Sequence, residues 1–547
     1  MPLSTTLSEL RDASEPAAAS LPPITPGNTD NTTGARVFWH DWLVGSGMIL
    51  SMALYYVVCN PNLPFGLLRQ ENPLFSLPFL LLFAVFCWYR LSFAIALLPL
   101  SLPFYLYQKT VIGHMRFSLA EVALWTIIGV VLLRLLVRPE ERQLWLSRAA
   151  WREKAERIGP FLLPVLVFVL AAALSISVAY ARAPALRAFR EEVFGPLLYL
   201  LLALTYLRSQ QDVKRLLAAL FGTGLVIALL GIVQYVFFRH SLALEVDGIR
   251  RVHTVYGSAN SIGLLFDYVL PPGLAILSGY ISWKKRLAAF VFCIPLLVTL
   301  YLSNSRGAWA ALVCALVFVV ACSVRSRKML FIGGGLLAVV LAAGSLLFQA
   351  QIMGYLLNSH TNAHGYSSVE KRTYIWQSAL NMIHDSPWLG YGMDNWLCHY
   401  SPNNVCKTDL PHYWITEDPV TGKPTGIADE PNISHPHNIF LHVWVSMGVF
   451  GLLAFGVVLI LFFWLFVRIL LYLRRYRGEG WRSLHWMTVG VGGAMLAVLV
   501  QGQIDSAFLE QDLAFCFWML VAALLLLRVL AGVPWRASSS AHQSKSL

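Results

Sequence analysis

The chain is poor in charge: only 13% of its 547 residues are Asp, Glu, Lys or Arg, about half of what a soluble surface carries. That deficit excludes a water-soluble enzyme. Acidic residues are fewer than basic ones, 29 against 41. The resulting +12 does not mark a nucleic-acid binder, because Lys and Arg fall between apolar blocks and form no exposed stripe with interleaved aromatics. Cysteine is sparse, eight in all, and no zinc-ligand spacing occurs. Cys87, Cys293, Cys314, Cys322 and Cys516 lie inside apolar runs, where a thiol acts as a small hydrophobe. Three motifs are missing: an Asp-x-Asp pair for a metal-bound nucleotide sugar, a glycine-rich phosphate loop, and Gly-x-Ser-x-Gly. Their absence argues against a cytosolic nucleotide-driven reaction.

What is present is apolar: 57% of the residues are hydrophobic, in blocks of about 20 that match the thickness of a bilayer's hydrocarbon core. The fold class is therefore all-α and polytopic, with about 12–14 transmembrane helices and a partly helical extracytoplasmic domain. Candidate spans fall near 42–60, 73–88, 91–107, 118–137, 160–181, 193–207, 216–237, 259–281, 287–304, 307–324, 329–349, 438–472, 484–503 and 511–531. The stretch 73–107 reads as one hairpin or one broken helix. The stretch 438–472 is too long for one upright helix, and Gly448 and Gly451 are expected to break it into a short entrant helix and a true span.

Arg138, Arg142, Arg148, Arg152, Lys154 and Arg157 set 138–158 in the cytoplasm by the positive-inside rule. Alternation then puts Arg208, Lys214 and Arg215; Lys284, Lys285 and Arg286; Arg325, Arg327 and Lys328; and Arg474, Arg475, Arg477 and Arg482 on that same side. The reading divides the chain into a disordered cytoplasmic tail at 1–40, which lacks the order of a cleavable signal, transmembrane helices over 41–349, an extracytoplasmic loop domain over 350–436, C-terminal transmembrane helices over 437–531 and a cytoplasmic tail at 532–547. The implied location is the bacterial inner membrane, N-terminus inside.

The long hydrophilic stretch opens on a helical pattern in which Ile375, Trp376, Ala379, Leu380 and Ile383 share a face, stopped by Pro387 and Gly390. From Cys398 to Pro436 it is loop-like, and a loop that long is more often functional than accidental. Cys398 and Cys406 lie on the oxidising side, where a disulfide between them is expected.

Chemistry is sought among residues that are costly near lipid. Arg306, in Ser303-Asn304-Ser305-Arg306-Gly307, sits between two spans, as a snorkelling anchor or as a ligand-binding cation. Arg250, Arg251 and His253 form a second outer basic cluster, Lys371 and Arg372 a third, Arg187 and Arg190 a fourth. Arginines on the outer face oppose the positive-inside trend, which suits an anionic ligand; a diphosphate matches the guanidinium fork. His435 and His437 stand where the outer loop re-enters the bilayer. They read as a zinc pair, for which no acidic or cysteine partner follows at ligand spacing, as structural histidines, or as a general base for a sugar hydroxyl. Asp267 and Glu121, at or within spans, allow a transporter, for which no inverted repeat is evident.

The ordered set Arg251, Asn260, Pro271; Ser305-Arg306-Gly307; Arg372-x-x-x-Trp376 running into Pro387-Trp388-Leu389-Gly390-Tyr391-Gly392; and His437-Asn438-x-x-Leu441 followed by Gly448 and Gly451 resembles the O-antigen ligase and Wzy-type polymerase superfamily over roughly 250–460. The resemblance implies a helical membrane glycosyltransferase that takes a glycan from undecaprenyl diphosphate to an acceptor hydroxyl on the outer face of the inner membrane, inverting and metal-independent, with no cofactor. It implies that Arg306 and Arg251 hold the diphosphate, that His437 acts on the acceptor hydroxyl, and that Arg372 lies near the substrates; Arg250, Arg190 and Asn438 join the substrate-binding set. The implied partners are the carrier-linked glycan, a glycan, lipid or protein acceptor, and membrane lipids, without nucleic acid. A polymerase of the same superfamily and a lipid-linked sugar transporter are the alternatives.

Overall fold

The computed structural model describes residues 31–63, 66–68, 72–112, 115–244, 250–279, 281–324, 368–401, 406, 409–415, 432–476, 478, 480–506 and 508–535, with the backbone alone at 31–40, 112, 115, 243–244 and 368–371. The expected span 329–349, the tail up to residue 30, the tail from 536 and much of the long loop lie outside the described residues. Packing divides the chain into residues 1–44 and 45–547. Helix α1 (Asn31–Val57) begins in the first unit, and every other element belongs to the second.

The architecture is all-α. The helices that follow are α2 (Leu77–Tyr89), α3 (Leu91–Leu97), α4 (Leu119–Val137), α5 (Pro139–Leu146), α6 (Arg148–Ile158), α7 (Leu162–Val178), α8 (Arg182–Ala188), α9 (Gly195–Tyr206), α10 (Gln210–Phe237), α11 (Ala259–Ser278), α12 (Trp283–Ser303), α13 (Arg306–Ser323), α14 (Ser368–Asp385), α15 (Trp396–Tyr400), α16 (Ile439–Arg475), α17 (Trp481–Gln501) and α18 (Gln511–Ala531). Two short hairpins, β1 (Lys109–Ile112) with β2 (Met115–Phe117) and β3 (Ala243–Leu244) with β4 (Arg250–Arg251), are the sheet structure among the described residues.

Nine helices among the described residues are long and apolar enough to cross a membrane, or ten if a bent pair is one span. Apart from 329–349, which lies outside the described residues, the difference from fourteen has physical causes. The segment 73–104 is two helical pieces meeting at 118°, with Arg90 out of helical geometry at the break. The expected span at 193–207 is the last part of one helix that runs from α8 through a π-helical turn (Phe189–Phe194) into α9, and Arg187, Arg190, Glu191 and Glu192 leave it no charge-poor stretch of bilayer length. The apolar part of α1, Asp41–Val57, is likewise short.

Burial follows composition. Helix α18 is apolar all round and 89% buried over its most hydrophobic window, whereas α12 is 28% buried; a uniformly apolar helix belongs in the centre of a bundle. On α7, Leu163, Leu166, Leu170 and Leu174 are exposed at helical spacing, a stripe suited to lipid. Glycines let the central helices meet closely: a Cβ on Gly263 would lie 2.6 Å from the Ala308 Cβ, and one on Gly490 2.7 Å from the Pro272 Cα.

The basic loops gather at one end. Arg208 reaches Glu153 at 3.8 Å, Arg474 Nη2 donates to the Cys322 carbonyl at 3.0 Å, Arg528 Nη2 donates to the Glu156 carbonyl at 3.2 Å, and Lys214 feels the charge of Lys285. At the opposite end α12, α13, α16, α17 and α18 present the turns 303–306, 435–438 and 502–510.

Candidate functional site

The turn between α17 and α18 is the platform. Its backbone takes the entry to α16: the Ile439 amide donates to the Gly502 carbonyl at 2.7 Å and Asn438 Nδ2 to the Gln503 carbonyl at 3.0 Å. Asn438 also caps α16, its Oδ1 accepting from the amides of Phe440 and Leu441 at 3.0 and 3.1 Å. These bonds occupy the Asn438 side chain as a helix cap. His437, just before the cap, has φ +48°, a left-handed conformation uncommon outside glycine. Its carbonyl accepts from Trp376 Nε1 on α14 at 3.3 Å.

In that pose His437 Nδ1 lies 2.7 Å from Asp505 Oδ1. The Asp505 carboxylate is buried and also accepts from the Ser506 amide at 2.9 Å. Burial alone would raise its pKa; the charge of His437, their hydrogen bond, His435 and Arg372 outweigh burial and hold it well below the usual carboxylate range. An ionised Asp505 accepts only, so His437 Nδ1 is the donor of this bond and Nε2 is the ring's other nitrogen.

Around this pair stand His435 and His442, their rings 5.5 Å apart, with His435 edge-on to His437 at 4.7 Å. Burial, then the neighbouring His437, pushes His435 down to about 3, so it is neutral. Its Nδ1 accepts from the His437 amide at 3.3 Å and its Nε2 faces Glu510 Oε1 at 3.7 Å. Glu510 in turn accepts from the Tyr105 hydroxyl at 3.1 Å. Burial, with the charges of Asp512 and Asp505, pushes Glu510 up to about 8. His442 Nδ1 meets Ser506 Oγ at 2.5 Å.

Three arginines converge on this end. Arg372 lies within electrostatic reach of His435 and Asp505. Arg306 opens α13, half-buried, after Asn304 in left-handed geometry at φ +50°. A Cβ on the next residue, Gly307, would meet Ile504 at 2.8 Å, which fixes the start of α13 against the Asp505 turn. Arg251 braces the same turn, Nε donating to the Ser303 carbonyl at 2.6 Å and Nη2 to Asn260 Oδ1 at 2.7 Å.

Other sequence candidates have other surroundings. Arg250 is exposed on β4, opposite Leu244. Arg190 is held by two carboxylates, Glu121 at 2.8 Å and Glu191 at 2.7 Å, and lies over the Phe117 ring. Arg187 pairs with Asp394 at 3.1 Å. His253 bonds the carbonyls of Tyr256 and Ser241 at 2.7 and 2.8 Å. Cys398 and Cys406 are joined as a disulfide, Cα atoms 5.2 Å apart. Asp505, Glu510, Ser506 and His442 were not singled out in the sequence. The available signal was two carboxylates in one short loop between spans, on the same side as His437. His435, His437 and Asp505 also bring ligand atoms within 4.8 Å of one another, so Asp505 supplies the acidic partner that sequence spacing near the histidines lacks.

Residues 288–456 match a family model described as O-antigen ligase. A Rickettsia typhi protein named as a polysaccharide ligase is 27% identical over 202 residues, which cover 34% of this chain and 44% of that protein, so the match spans under half of the relative. The family match takes in Arg306, Arg372 and His437, and over that stretch the chain is similar to the O-antigen ligase family.

Proposed function

We propose that the chain transfers a glycan from undecaprenyl diphosphate to an acceptor hydroxyl, at the outer face of the bacterial inner membrane and without a metal. The observation that carries this reading is the 2.7 Å contact between His437 and Asp505, which holds the imidazole by Nδ1 so that Nε2 can act as the base. As the acceptor oxygen attacks the anomeric carbon, its proton passes to Nε2 and the bond from that carbon to the diphosphate oxygen breaks on the opposite face, which inverts the centre. Arg306, Arg372 and Arg251 supply cationic charge where the leaving diphosphate becomes more negative. Diphosphate is already a good leaving group, so no nucleotide is needed. An apolar cavity of 250 Å³, lined by Met52, Tyr56, Leu97, Phe104 and others, ends one residue from Tyr105, whose hydroxyl bonds Glu510. It suits the lipid tail of the carrier.

The test is transfer in vitro from a synthetic undecaprenyl-diphosphate glycan, with chelator throughout, comparing wild type with His437→Ala. Loss of product in the variant is expected. Full activity in a well-folded variant sinks the base assignment, and carrier moved without bond cleavage points to a transporter. Product length and attachment separate a ligase from a polymerase.

A further inference from the structure

We propose that His435, His437 and Asp505 form a binding site for a divalent transition ion of the zinc class, and that filling it switches His437 off. The second half rests on the reading of His437 as the base; the first does not. Two imidazoles and a carboxylate are a donor set suited to such an ion. The cluster is built rather than incidental: His435 and Asp505 are buried, and ligand atoms from all three residues lie within 4.8 Å of one another.

The hydrogen bonds say which atoms would bind. His435 Nδ1 accepts from the His437 amide at 3.3 Å, so its lone pair would have to turn from that amide to the ion. Its other nitrogen faces the Glu510 carboxyl at 3.7 Å, the outer arrangement that metal-bound histidines favour. The remaining donors are His437 Nδ1 and Asp505 Oδ1, 2.7 Å apart with a proton between them. Zinc bonds of about 2.0–2.2 Å separate neighbouring ligand atoms in a tetrahedron by about 3.3 Å, so the pair must open by about 0.6 Å. The proton must also leave the gap.

That proton decides the consequence. A neutral imidazole that gives its Nδ1 lone pair to a metal carries its hydrogen on Nε2. The ring gains and loses no net proton; the hydrogen moves from Nδ1 to Nε2, and the nitrogen that would accept the hydroxyl proton becomes a donor. Asp505, bound to the ion, no longer orients the ring. An occupied site is therefore an inhibited enzyme.

Cobalt(II), which has visible absorption in such sites, is the probe, titrated into the full-length chain in detergent. One equivalent per chain is expected, displaced by zinc, with affinity falling by more than about tenfold in His435→Phe and Asp505→Asn. Zinc should suppress wild-type transfer along the same saturation curve, and chelator should restore it. If either variant aggregates, slower modification of His437 by diethyl pyrocarbonate in zinc-loaded wild type, read on the peptide, locates the ion without substitution. The proposal is overturned if monodisperse wild type binds no cobalt, if both folded variants bind as wild type does, or if removing metal abolishes transfer. Cobalt binding together with full activity in His437→Ala would leave the metal site standing and refute the base assignment and the switch.

Discussion

At the residue scale the chemistry of the proposed transfer rests on one tautomer. Asp505→Asn keeps the shape but replaces an acceptor with an amide that can hold the ring in the wrong orientation. Transfer is expected to fall by about a hundredfold or more in kcat with KM little changed, and measuring kcat and KM separately checks it, since a merely destabilised protein loses active fraction without altering KM or its pH profile. On the proposed function Arg306→Ala removes a charge that would matter most as the diphosphate leaves, so a loss of about 3 kcal/mol, or about a hundredfold in rate, is expected. His437 and Arg306 were legible in the sequence because histidine and arginine beside lipid need a reason to be there. Asp505 was not, because its partner lies 68 residues away and the packing of α16 on α17 brings them together. Arg190 shows the reverse: an outward arginine by sequence, neutralised by Glu121 and Glu191 in three dimensions.

At the element scale the site depends on how α16 enters the bundle. Gly448 and Gly451 were both candidate breaks; in the structure only Gly448 leaves helical geometry, at φ 70°, ψ −174°, while Gly451 stays helical. The kink frees the Val445 carbonyl to accept from the Tyr391 amide at 2.7 Å and the Val449 amide to donate to the Pro387 carbonyl at 2.9 Å. The Pro387–Tyr391 turn thus plugs the break, which is why that turn stops α14 where it does. A Cβ at Gly448 would stand 1.9 Å from the Trp388 carbonyl oxygen, in a backbone region that is essentially glycine's. Gly448→Ala is expected to cost more than about 3 kcal/mol and to appear as lost thermal stability or lost monodisperse protein. The π-helical segment Phe189–Phe194 before α9 carries a pH dependence. Burial and the charge of Glu121 raise Glu191 from 4.5 to about 7, against the opposing pull of Arg190. A raised folded pKa means that its contribution is complete below about 4.5 and is lost as pH rises through about 7, at up to about 1.4 kcal/mol per pH unit. The thermal midpoint should decline across that window in wild type and decline less in Glu191→Gln; equal slopes would remove Glu191 as the cause.

At the scale of the whole molecule, most of the bundle was legible because lipid imposes one rule on every span: the backbone must satisfy itself in a helix and the side chains must be apolar. Nine of the fourteen expected spans appear as crossing helices among the described residues. Of the rest, 329–349 lies outside the described residues and 73–107, open in the sequence between a hairpin and a broken helix, is a bent pair that breaks at Arg90; hydrophobicity reports solvent preference and not direction. Sidedness follows a different logic. The basic loops were grouped from charge alone, and the structure brings Arg208 to Glu153, Arg528 to Glu156 and Lys214 near Lys285 at the end opposite the His437–Asp505 pair. If the positive-inside rule orients the chain, the pair faces out, where a carrier-linked glycan would meet it. Single cysteines at Lys284 and at His384, both exposed and on opposite ends, test this in a background without the six free cysteines. A membrane-impermeant maleimide added to cells with a permeabilised outer layer should label the cysteine at 384 and spare that at 284 until the inner membrane is lysed. The reverse pattern would turn the site to the cytoplasm and leave its geometry intact, and an outward-facing transfer would then have to be abandoned.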